Sequence, residues 1–349
     1  MKVISIVGAR PQFIKLGPFS RNVRKVCNEK IIHTGQHYDE QMSALLFRDL
    51  EIPAPDYNLN IGSGNQGAQT GRMLSGIEEV LLKEYPDMIV VFGDTNSTLA
   101  GALAGVKMGI KTVHIEAGLR SFNRKMPEEI NRVATDHVSD LLLAPTGIAM
   151  KNLKDEGLWQ KSFLSGDIMA DALKENIERA KTISQVDEQY NVGNKFYLLT
   201  LHRPYNVDNP DHLRKIFNGL AKISKKIIFP VHPRTRKIIE TNGVIIPENI
   251  VFIKPLGYLD FLKLQFLSEK IITDSGGIQK EAYLLEKPCI TLRTETEWME
   301  TVENGWNILV DYHKPYFEEQ IINFNPKGRP VSVFGENVAQ NMVNILLSK

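Results

Sequence analysis

Three carboxylate side chains in the first half of the chain occur where a proton-transfer site would need them. Asp94 and Glu116 each follow a short apolar run, and Glu128 opens a helical stretch. A carboxylate at the end of an apolar run is costly to bury unless it is paired or functional. Taken alone, Asp94 is explained by capping of the next helix, and Glu128 by the helix dipole. Together, three carboxylates at the carboxyl edge of one sheet indicate acid–base chemistry.

Positive charge is concentrated at the first turn of the chain. Gly8 permits a sharp turn after the first apolar run, and Pro11 suits the start of a helix. Arg10 and Lys15 add cations beside the helix N-terminus, which itself favours anions. This combination predicts a phosphate- or sugar-binding turn, although an ordinary turn with surface cations is the alternative. The spacings of a dinucleotide fingerprint and of a Walker loop are both missing.

Two turns in the second half point to a nucleotide. His202 and the adjacent Arg203 follow an apolar run, where the histidine is equally compatible with a structural role. Ser275, Gly276 and Gly277 join a strand-like run to a helical stretch, so their N–H groups can bind a diphosphate. Glu281 follows one helical turn later and suits a ribose diol.

The elements that position these residues are short apolar runs alternating with helical stretches. Strands without alternation, separated by helices, are typical of a parallel sheet covered on both faces. The predicted strands are 3–7, 30–34, 88–92, 112–115, 141–144, 196–201, 227–231, 250–253, 271–273, 289–292 and 308–310. The predicted helices are 69–83, 97–108, 128–137, 211–222, 258–267 and 336–347.

The pattern predicts an α/β protein with two Rossmann-like, doubly wound parallel sheets. A charged, weakly apolar stretch and a turn cluster place the domain boundary between Gly166 and Lys195. We expect a first domain at 1–170, a second at 171–330, and a last helix within 331–349 that packs back on the first domain. Ligands bind at the carboxyl ends of such strands, so two facing sheets would form a cleft.

Composition narrows the class of protein. The chain has 349 residues, 42 Lys+Arg, 41 Asp+Glu and 42% hydrophobic content, which excludes a disordered or fibrous chain. A net charge of +1 argues against a nucleic-acid partner. No apolar run reaches the ~18–20 residues of a membrane span, and the first run is too short for a signal peptide. Cys27 and Cys289 fit neither a disulfide framework nor a zinc site, so we expect a cytoplasmic protein.

Combined, these motifs resemble the non-hydrolysing UDP-N-acetylglucosamine 2-epimerase family over nearly the whole chain, from Gly8 to Glu281. The resemblance implies a glycosyltransferase-B-like pair of domains, a homodimer, a UDP-sugar substrate, and no metal or redox cofactor. It also implies site residues in two groups. Those matching active-site positions are Arg10, Lys15, Asp94, Glu116, Glu128 and His202. Those matching UDP-binding positions are Arg203, Phe261 (near the uracil), Ser275, Gly276, Gly277, Glu281 and Arg293.

The family chemistry implied by this resemblance is inversion at C2 of the sugar. UDP leaves C1 as the C2–H bond breaks, which gives a 2-acetamidoglycal, and UDP then adds back with a proton delivered to the opposite face. Two faces require two proton carriers, hence several carboxylates. Which of the three carboxylates removes the proton is left open. His202, Arg203, Arg10 and Lys15 would stabilise the departing diphosphate.

The chain departs from the common family pattern at three positions. Gln12 and Ala9 stand where Glu and Thr are usual, and Trp298 replaces an arginine that is followed by proline. These changes resemble the subgroup that acts on UDP-2,3-diacetamido-2,3-dideoxy-glucuronic acid. An uncharged Gln12 would also reduce repulsion toward a substrate carboxylate. We therefore expect that substrate, with UDP-N-acetylglucosamine as the alternative.

Further alternatives remain at this point. Residues 36–41 resemble the segment that contacts a second, allosteric UDP-sugar in bacterial relatives, and whether such regulation operates here is open. A glycosyltransferase of the same fold would need an acceptor and no proton carriers. A hydrolysing epimerase would release UDP and free sugar. An inert nucleotide-sugar sensor would not need the carboxylates.

Overall fold

The chain folds into two compact units. The structure, a computed structural model, describes residues 1–36, 46–193 and 195–349. One unit consists of Met1–Lys174 with Ser332–Lys349, and the other of Glu175–Val331. The change of unit falls inside the helix Ile168–Ile183 rather than in a loop. Of residues 36–41, only Gln36 lies within the described part of the chain.

The first unit is built on a parallel sheet in the order β3-β2-β1-β4-β5-β6-β7. Its strands are β1 (Lys2–Val7), β2 (Asn28–His33), β3 (Tyr57–Asn58), β4 (Met88–Phe92), β5 (Lys111–Ile115), β6 (Leu141–Ala144) and β7 (Ser162–Leu164). Its helices are α1 (Arg10–Val23), α2 (Gln66–Glu84), α3 (Asn96–Lys107), α4 (Pro127–Val138), α5 (Gly147–Asp155), the first part of α6 (Ile168–Ile183) and the last helix of the chain, α15 (Val338–Ser348). A short 3-10 helix spans Trp159–Lys161. Helix α15 packs against α1.

The second unit repeats this plan with a parallel sheet in the order β10-β9-β8-β11-β12-β13. Its strands are β8 (Phe196–Thr200), β9 (Lys226–Pro230), β10 (Ile250–Ile253), β11 (Lys270–Thr273), β12 (Cys289–Thr291) and β13 (Asn307–Leu309). Its helices, after the end of α6, are α7 (Val186–Gln189), α8 (Pro204–Val207), α9 (Pro210–Leu220), α10 (Pro233–Thr241), α11 (Tyr258–Leu267), α12 (Gly276–Leu284), α13 (Met299–Glu303) and α14 (Phe317–Asn323).

Packing of α3 on the first sheet brings the end of β4 and the start of the helix close together. Ile4, Ile6, Ile89 and Val91 pack with the apolar side chains of α2 and α3 in one buried cluster. Gly105, in the last turn of α3, lets the helix lie close to the start of β4, because a Cβ there would lie 2.2 Å from Cδ1 of Ile89. At the other end of the strand, only residues 93–95 join β4 to α3.

Each sheet reverses its winding direction between two central strands, β1 and β4 in the first unit and β8 and β11 in the second. Ligands of doubly wound proteins bind at the carboxyl ends of the strands beside such a reversal. The predicted fold class of two Rossmann-like parallel sheets is confirmed. Among the described residues, no helix is both long and apolar enough to cross a bilayer.

Toward the amino ends of the strands in the first sheet, Glu84 contacts side chains from the three strands β1, β2 and β3. Its carboxylate pairs with Nζ of Lys2 at 2.9 Å and Nζ of Lys30 at 2.8 Å, and it accepts a hydrogen bond from Tyr57. These contacts, led by Lys30 and followed by Tyr57 and Lys2, lower the pKa of Glu84 from 4.5 to about 2. The ionised carboxylate therefore stabilises the folded state above pH 4.5, and protonation removes this contribution as the pH falls toward 2.

We expect Glu84→Gln to be less stable than the unsubstituted protein at pH 7, and the difference to shrink between about pH 5 and pH 2. Chemical denaturation of both proteins across this range measures it. Glu79→Gln, on the exposed side of the same helix, is the control and should differ little at any pH. A stability difference for Glu84→Gln that stays constant from pH 7 to pH 2 would contradict the linkage.

Candidate functional site

Lys15 and Glu116 meet at the carboxyl edge of the first sheet, beside the residue that precedes Asp94. Lys15 and Glu116 form an ion pair although their residues are only 6% and 9% exposed. A Cβ placed on Gly93 would lie 3.0 Å from Oε2 of Glu116 and 3.1 Å from Nζ of Lys15. The pair therefore packs directly on the backbone that leads into Asp94.

Glu116 has an unusual backbone conformation for a residue with a side chain. Its φ is +75°, in the left-handed region, where a non-glycine residue is strained. The N–H groups of Glu116 and Ala117 both donate to the carbonyl of Leu143, at 3.1 and 3.0 Å. These bonds to β6 hold the strained turn in place, and strain that is held in this way is typical of functional positions.

Helix α4 brings Glu128 to the same region. Arg132 forms an ion pair with Asp94, and Nδ2 of Asn131 donates to the Asp94 carbonyl at 3.0 Å. Glu128 lies three and four residues before these two, so it shares their helix face. The neighbouring Glu129 is buried and accepts from the N–H groups of the preceding loop, so it anchors that loop.

A buried charge network, which the sequence analysis did not identify, lies beneath this edge. Nε2 of His114 is 2.7 Å from the Gly93 carbonyl, and Nδ1 is 2.7 Å from Asp136. Asp136 also pairs with Arg120 at 2.7 Å, and Arg120 holds Glu156 through two hydrogen bonds. Burial raises the pKa of Asp136, but His114 and Arg120 outweigh it and the pKa falls below its ordinary value. The sequence signal was a histidine between Val113 and Ile115 in a predicted strand.

The turn between β1 and α1 is held by Gln12 rather than by a side chain at Ala9. The Gln12 oxygen accepts from the N–H groups of Gly8 at 2.8 Å and Ala9 at 3.0 Å. Its nitrogen donates to the Phe92 carbonyl at 2.9 Å and to Oγ1 of Thr98 at 3.0 Å. Gln12 is 1% exposed, so its polar atoms serve the protein, and direct contact with a substrate carboxylate is not supported. Arg10, partly exposed, is the first residue of α1.

In the second unit, Ser275, Gly276 and Gly277 form the N-terminal turn of α12 as predicted. A Cβ on Gly276 would lie 2.2 Å from Oε1 of Glu297, so a larger residue there would have to displace the Glu297 side chain. A Cβ on Gly277 would meet no atom closer than Oγ of Ser275 at 3.9 Å, and Gly277 is exposed. Nη2 of Arg293 binds Glu297 at 3.0 Å, which brings this arginine to the same turn. The N–H group of Ser275 itself donates to Oγ1 of Thr273 at 3.0 Å. The turn therefore combines the N-terminus of a helix with a nearby guanidinium, an arrangement that suits an anion.

His202 and Arg203 follow strand β8. This strand lies next to β11, which leads into the Ser275 turn, in the same sheet. The backbone N–H groups of His202 and Arg203 donate to the buried carboxylate of Asp274, at 3.1 Å in each case. Nδ1 of His202 lies 3.0 Å from the same carboxylate, and the His202 side chain is 52% exposed. Within the second unit, His202 and the Ser275 turn are therefore joined through Asp274.

The other UDP-binding candidates occupy neighbouring positions. Glu281 is buried in α12 and accepts from Nε2 of Gln265 at 2.6 Å. Phe261, on α11, is partly exposed and packs against a hydrophobic cluster of the second unit. Trp298 is buried, with Nζ of Lys280 4.0 Å from its ring centroid. In the residues that the structure describes, no group of three or more His, Cys, Asp or Glu side chains is arranged to hold a metal ion.

Comparison with known proteins decides the family. The family model described as UDP-N-acetylglucosamine 2-epimerase matches residues 21–345. The chain belongs to this family. Its members are UDP-sugar 2-epimerases, so the protein is an isomerase.

Individual relatives cover nearly the whole chain. A UDP-N-acetylglucosamine 2-epimerase homolog of Methanococcus maripaludis is 52% identical over 355 residues and covers 99% of both chains. A UDP-2,3-diacetamido-2,3-dideoxy-D-glucuronate 2-epimerase of Pseudomonas aeruginosa is 47% identical over 318 residues, or 89% of this chain and 88% of its own. The crystal structure of the Methanocaldococcus jannaschii UDP-GlcNAc 2-epimerase, in complex with UDP-GlcNAc and UDP, matches with a TM-score of 0.93 and 47% identity over the full length of both chains.

Proposed function

We propose that this epimerase inverts C2 of a UDP-2-acetamido sugar without net hydrolysis, by elimination of UDP and its re-addition. The observation that carries this proposal is the pairing of Lys15 with Glu116 against Gly93, directly beside Asp94. A reaction that protonates both faces of one carbon needs more than one proton carrier. Asp94, Glu116 and Glu128 are the groups for these transfers.

The two units divide the work in this proposal. The first unit supplies the proton carriers, and Arg10 and Lys15 add positive charge. The second unit binds UDP through Ser275, Gly276, Gly277 and Glu281, with Phe261 near the uracil. His202, Arg203 and Arg293 balance the charge of the departing diphosphate. Such stabilisation of developing charge is commonly the largest contribution to catalysis.

For the substrate, we propose UDP-2,3-diacetamido-2,3-dideoxy-glucuronic acid, converted to its manno isomer. Gln12 and Trp298 distinguish this chain from the common family pattern, and the Pseudomonas aeruginosa relative bears this substrate in its name. Gln12 supports the proposal through charge rather than contact, because its neutral side chain adds no negative charge near Arg10 and Lys15. A more positive site favours a sugar with its own carboxylate.

UDP-N-acetylglucosamine is the second candidate substrate. The 0.93 TM-score match to a structure holding UDP-GlcNAc favours it. Trp298, which packs under Lys280 inside the second unit, does not decide between the two sugars. In either case we propose that the enzyme is a cytoplasmic homodimer.

Incubating the enzyme with each UDP-sugar in parallel and following the reaction by NMR tests this proposal. We expect the diacetamido acid to yield a manno signal while UDP stays attached, and UDP-N-acetylglucosamine to remain unchanged. The reverse result would establish the second candidate. Accumulation of free sugar and UDP would show a hydrolysing enzyme, and turnover that depends on an added acceptor would show a glycosyltransferase.

A further inference from the structure

Asp274 receives an unusual number of hydrogen bonds from one loop. Its carboxylate accepts from the N–H groups of His202 and Arg203, both at 3.1 Å, and from Nδ2 of Asn206 at 2.9 Å. Nδ1 of His202 lies 3.0 Å from Oδ1 of Asp274. Asp274 is completely buried, so it cannot touch a substrate itself. Any effect on the reaction has to pass through another residue.

The position of Asp274 in the fold connects two site elements. It directly follows β11 and directly precedes Ser275, whereas His202 and Arg203 follow β8. Strands β8 and β11 are hydrogen-bonded neighbours. One side chain therefore holds the His202 loop against the glycine-rich turn of α12.

The charge of Asp274 bears on which nitrogen of His202 would carry a proton. Burial raises the pKa of Asp274, but the hydrogen bonds and charge of His202 and the bonds from Asn206 and Arg203 lower it below its ordinary value. An ionised carboxylate only accepts hydrogen bonds. With an ionised carboxylate 3.0 Å away, Nδ1 of His202 is placed to be the donor, which would leave Nε2 of the half-exposed ring as the acceptor.

We propose that Asp274 is a positioning residue that fixes the ring of His202 with its proton on Nδ1 and with Nε2 free to face the diphosphate. This inference rests on the proposed function only for the identity of the group that Nε2 faces. With Asp274 in place, a proton taken up at Nε2 gives a ring whose two N–H groups point to two anions, the carboxylate and the diphosphate. A carboxylate that orients a histidine in this way fixes its tautomer.

Asp274→Asn distinguishes the fixing of the His202 tautomer from simple anchoring of the loop that carries His202 and Arg203. Three donors from the loop reach the same carboxylate oxygen, Oδ2: the N–H groups of His202 at 3.2 Å and Arg203 at 3.1 Å, and Nδ2 of Asn206 at 2.9 Å. They hold the oxygen of the new amide at that position. Its NH2 group then faces Nδ1 of His202, which has to become an acceptor. The neutral ring is thereby forced into the opposite tautomer, with its proton on Nε2.

The test measures the tautomer of His202 by 15N NMR in the full-length, ligand-free protein, with the signals assigned by comparison with His202→Gln. We expect Nδ1–H in the unsubstituted protein and Nε2–H in Asp274→Asn. Neutral His202 with its proton on Nε2 in the unsubstituted protein would overturn the proposal, and this result needs no variant to fold. Because no substrate is present, the measurement is independent of whether the proposed epimerisation is correct.

Kinetics of Asp274→Asn, alone and combined with His202→Gln, complete the test. We expect Asp274→Asn to lower kcat by roughly 10²-fold, with a smaller change in UDP affinity. In a His202→Gln background, the same substitution should change kcat little, because the residue through which Asp274 acts is already gone. An equal loss in both backgrounds would show that Asp274 only anchors the loop.

Discussion

Glu116→Gln is expected to lower kcat by ~10²–10⁴-fold, the usual contribution of a group that transfers a proton in the rate-limiting step. The substitution keeps the size of the side chain and its packing against Gly93. It removes the negative charge that pairs with Lys15 and the ability to take up a proton. UDP affinity should change much less, because the UDP-binding groups belong to the second unit in our account. Steady-state kinetics combined with equilibrium UDP binding separate these two effects.

Asp140→Asn is the matched control for this prediction. Asp140 accepts from the N–H group of Thr112 at 2.8 Å, at the beginning of the same strand that Glu116 follows. Asp140→Asn therefore makes the same change from acid to amide, but at the amino ends of the strands instead of their carboxyl ends. We expect its kcat to stay near that of the unsubstituted enzyme. Full activity of Glu116→Gln would remove Glu116 from the proton-transfer groups.

Gly277→Ala is expected to fold normally and to bind UDP at least about tenfold more weakly, a loss of ~1.4 kcal/mol. The added methyl group has open space in the protein, since the nearest atom is 3.9 Å away. That space lies at the N-terminal turn of α12, where we place the diphosphate. The thermal midpoint should be unchanged or slightly higher, because alanine restricts the unfolded chain more than glycine does.

Gly147→Ala supplies the control for Gly277→Ala. Gly147 opens helix α5, and a Cβ there also meets nothing within 4 Å. Thermal unfolding and UDP titration of both variants should show similar stabilities and a binding defect in Gly277→Ala alone. Normal UDP affinity of Gly277→Ala would show that the diphosphate does not occupy this turn.

Much of the fold was accessible from the sequence because parallel strands buried on both faces are continuous apolar runs. Every predicted strand is present with ends within two residues, from residues 3–7, seen as Lys2–Val7, to 308–310, seen as Asn307–Leu309. The strands Tyr57–Asn58 and Ser162–Leu164 were missed because they are short and partly polar. Both lie at the edges of the first sheet, where burial imposes little pattern.

The sequence allowed the candidate site residues to be chosen, but not the residues with which they form hydrogen bonds or ion pairs. Strand ends identified Asp94, Glu116, His202 and the Ser275 turn, since such ends carry ligands in this fold class. Pairs such as Asp136 with His114 and Asp274 with His202 join residues 22 and 72 positions apart. Spacing along the chain carries no signal for contacts at that separation.

Backbone conformation also altered the interpretation of single residues. The left-handed φ of Glu116 depends on bonds to β6 that only the folded sheet provides. The expectation that Gln12 acts through its lack of charge stays a prediction, and the structure adds that its amide is engaged between two strand ends. For both residues, the conformation of the turn decides which groups the side chain contacts.

Deuterium incorporation from D2O tests the central claim most directly, namely that groups at the carboxyl edge of the first sheet exchange the proton on C2 of a UDP-sugar. The account predicts that the manno product, and with time the recovered substrate, carries deuterium at C2 while UDP remains attached. Glu116→Gln should slow this incorporation in parallel with turnover. A product that forms in D2O and retains its original hydrogen at C2 would contradict the account.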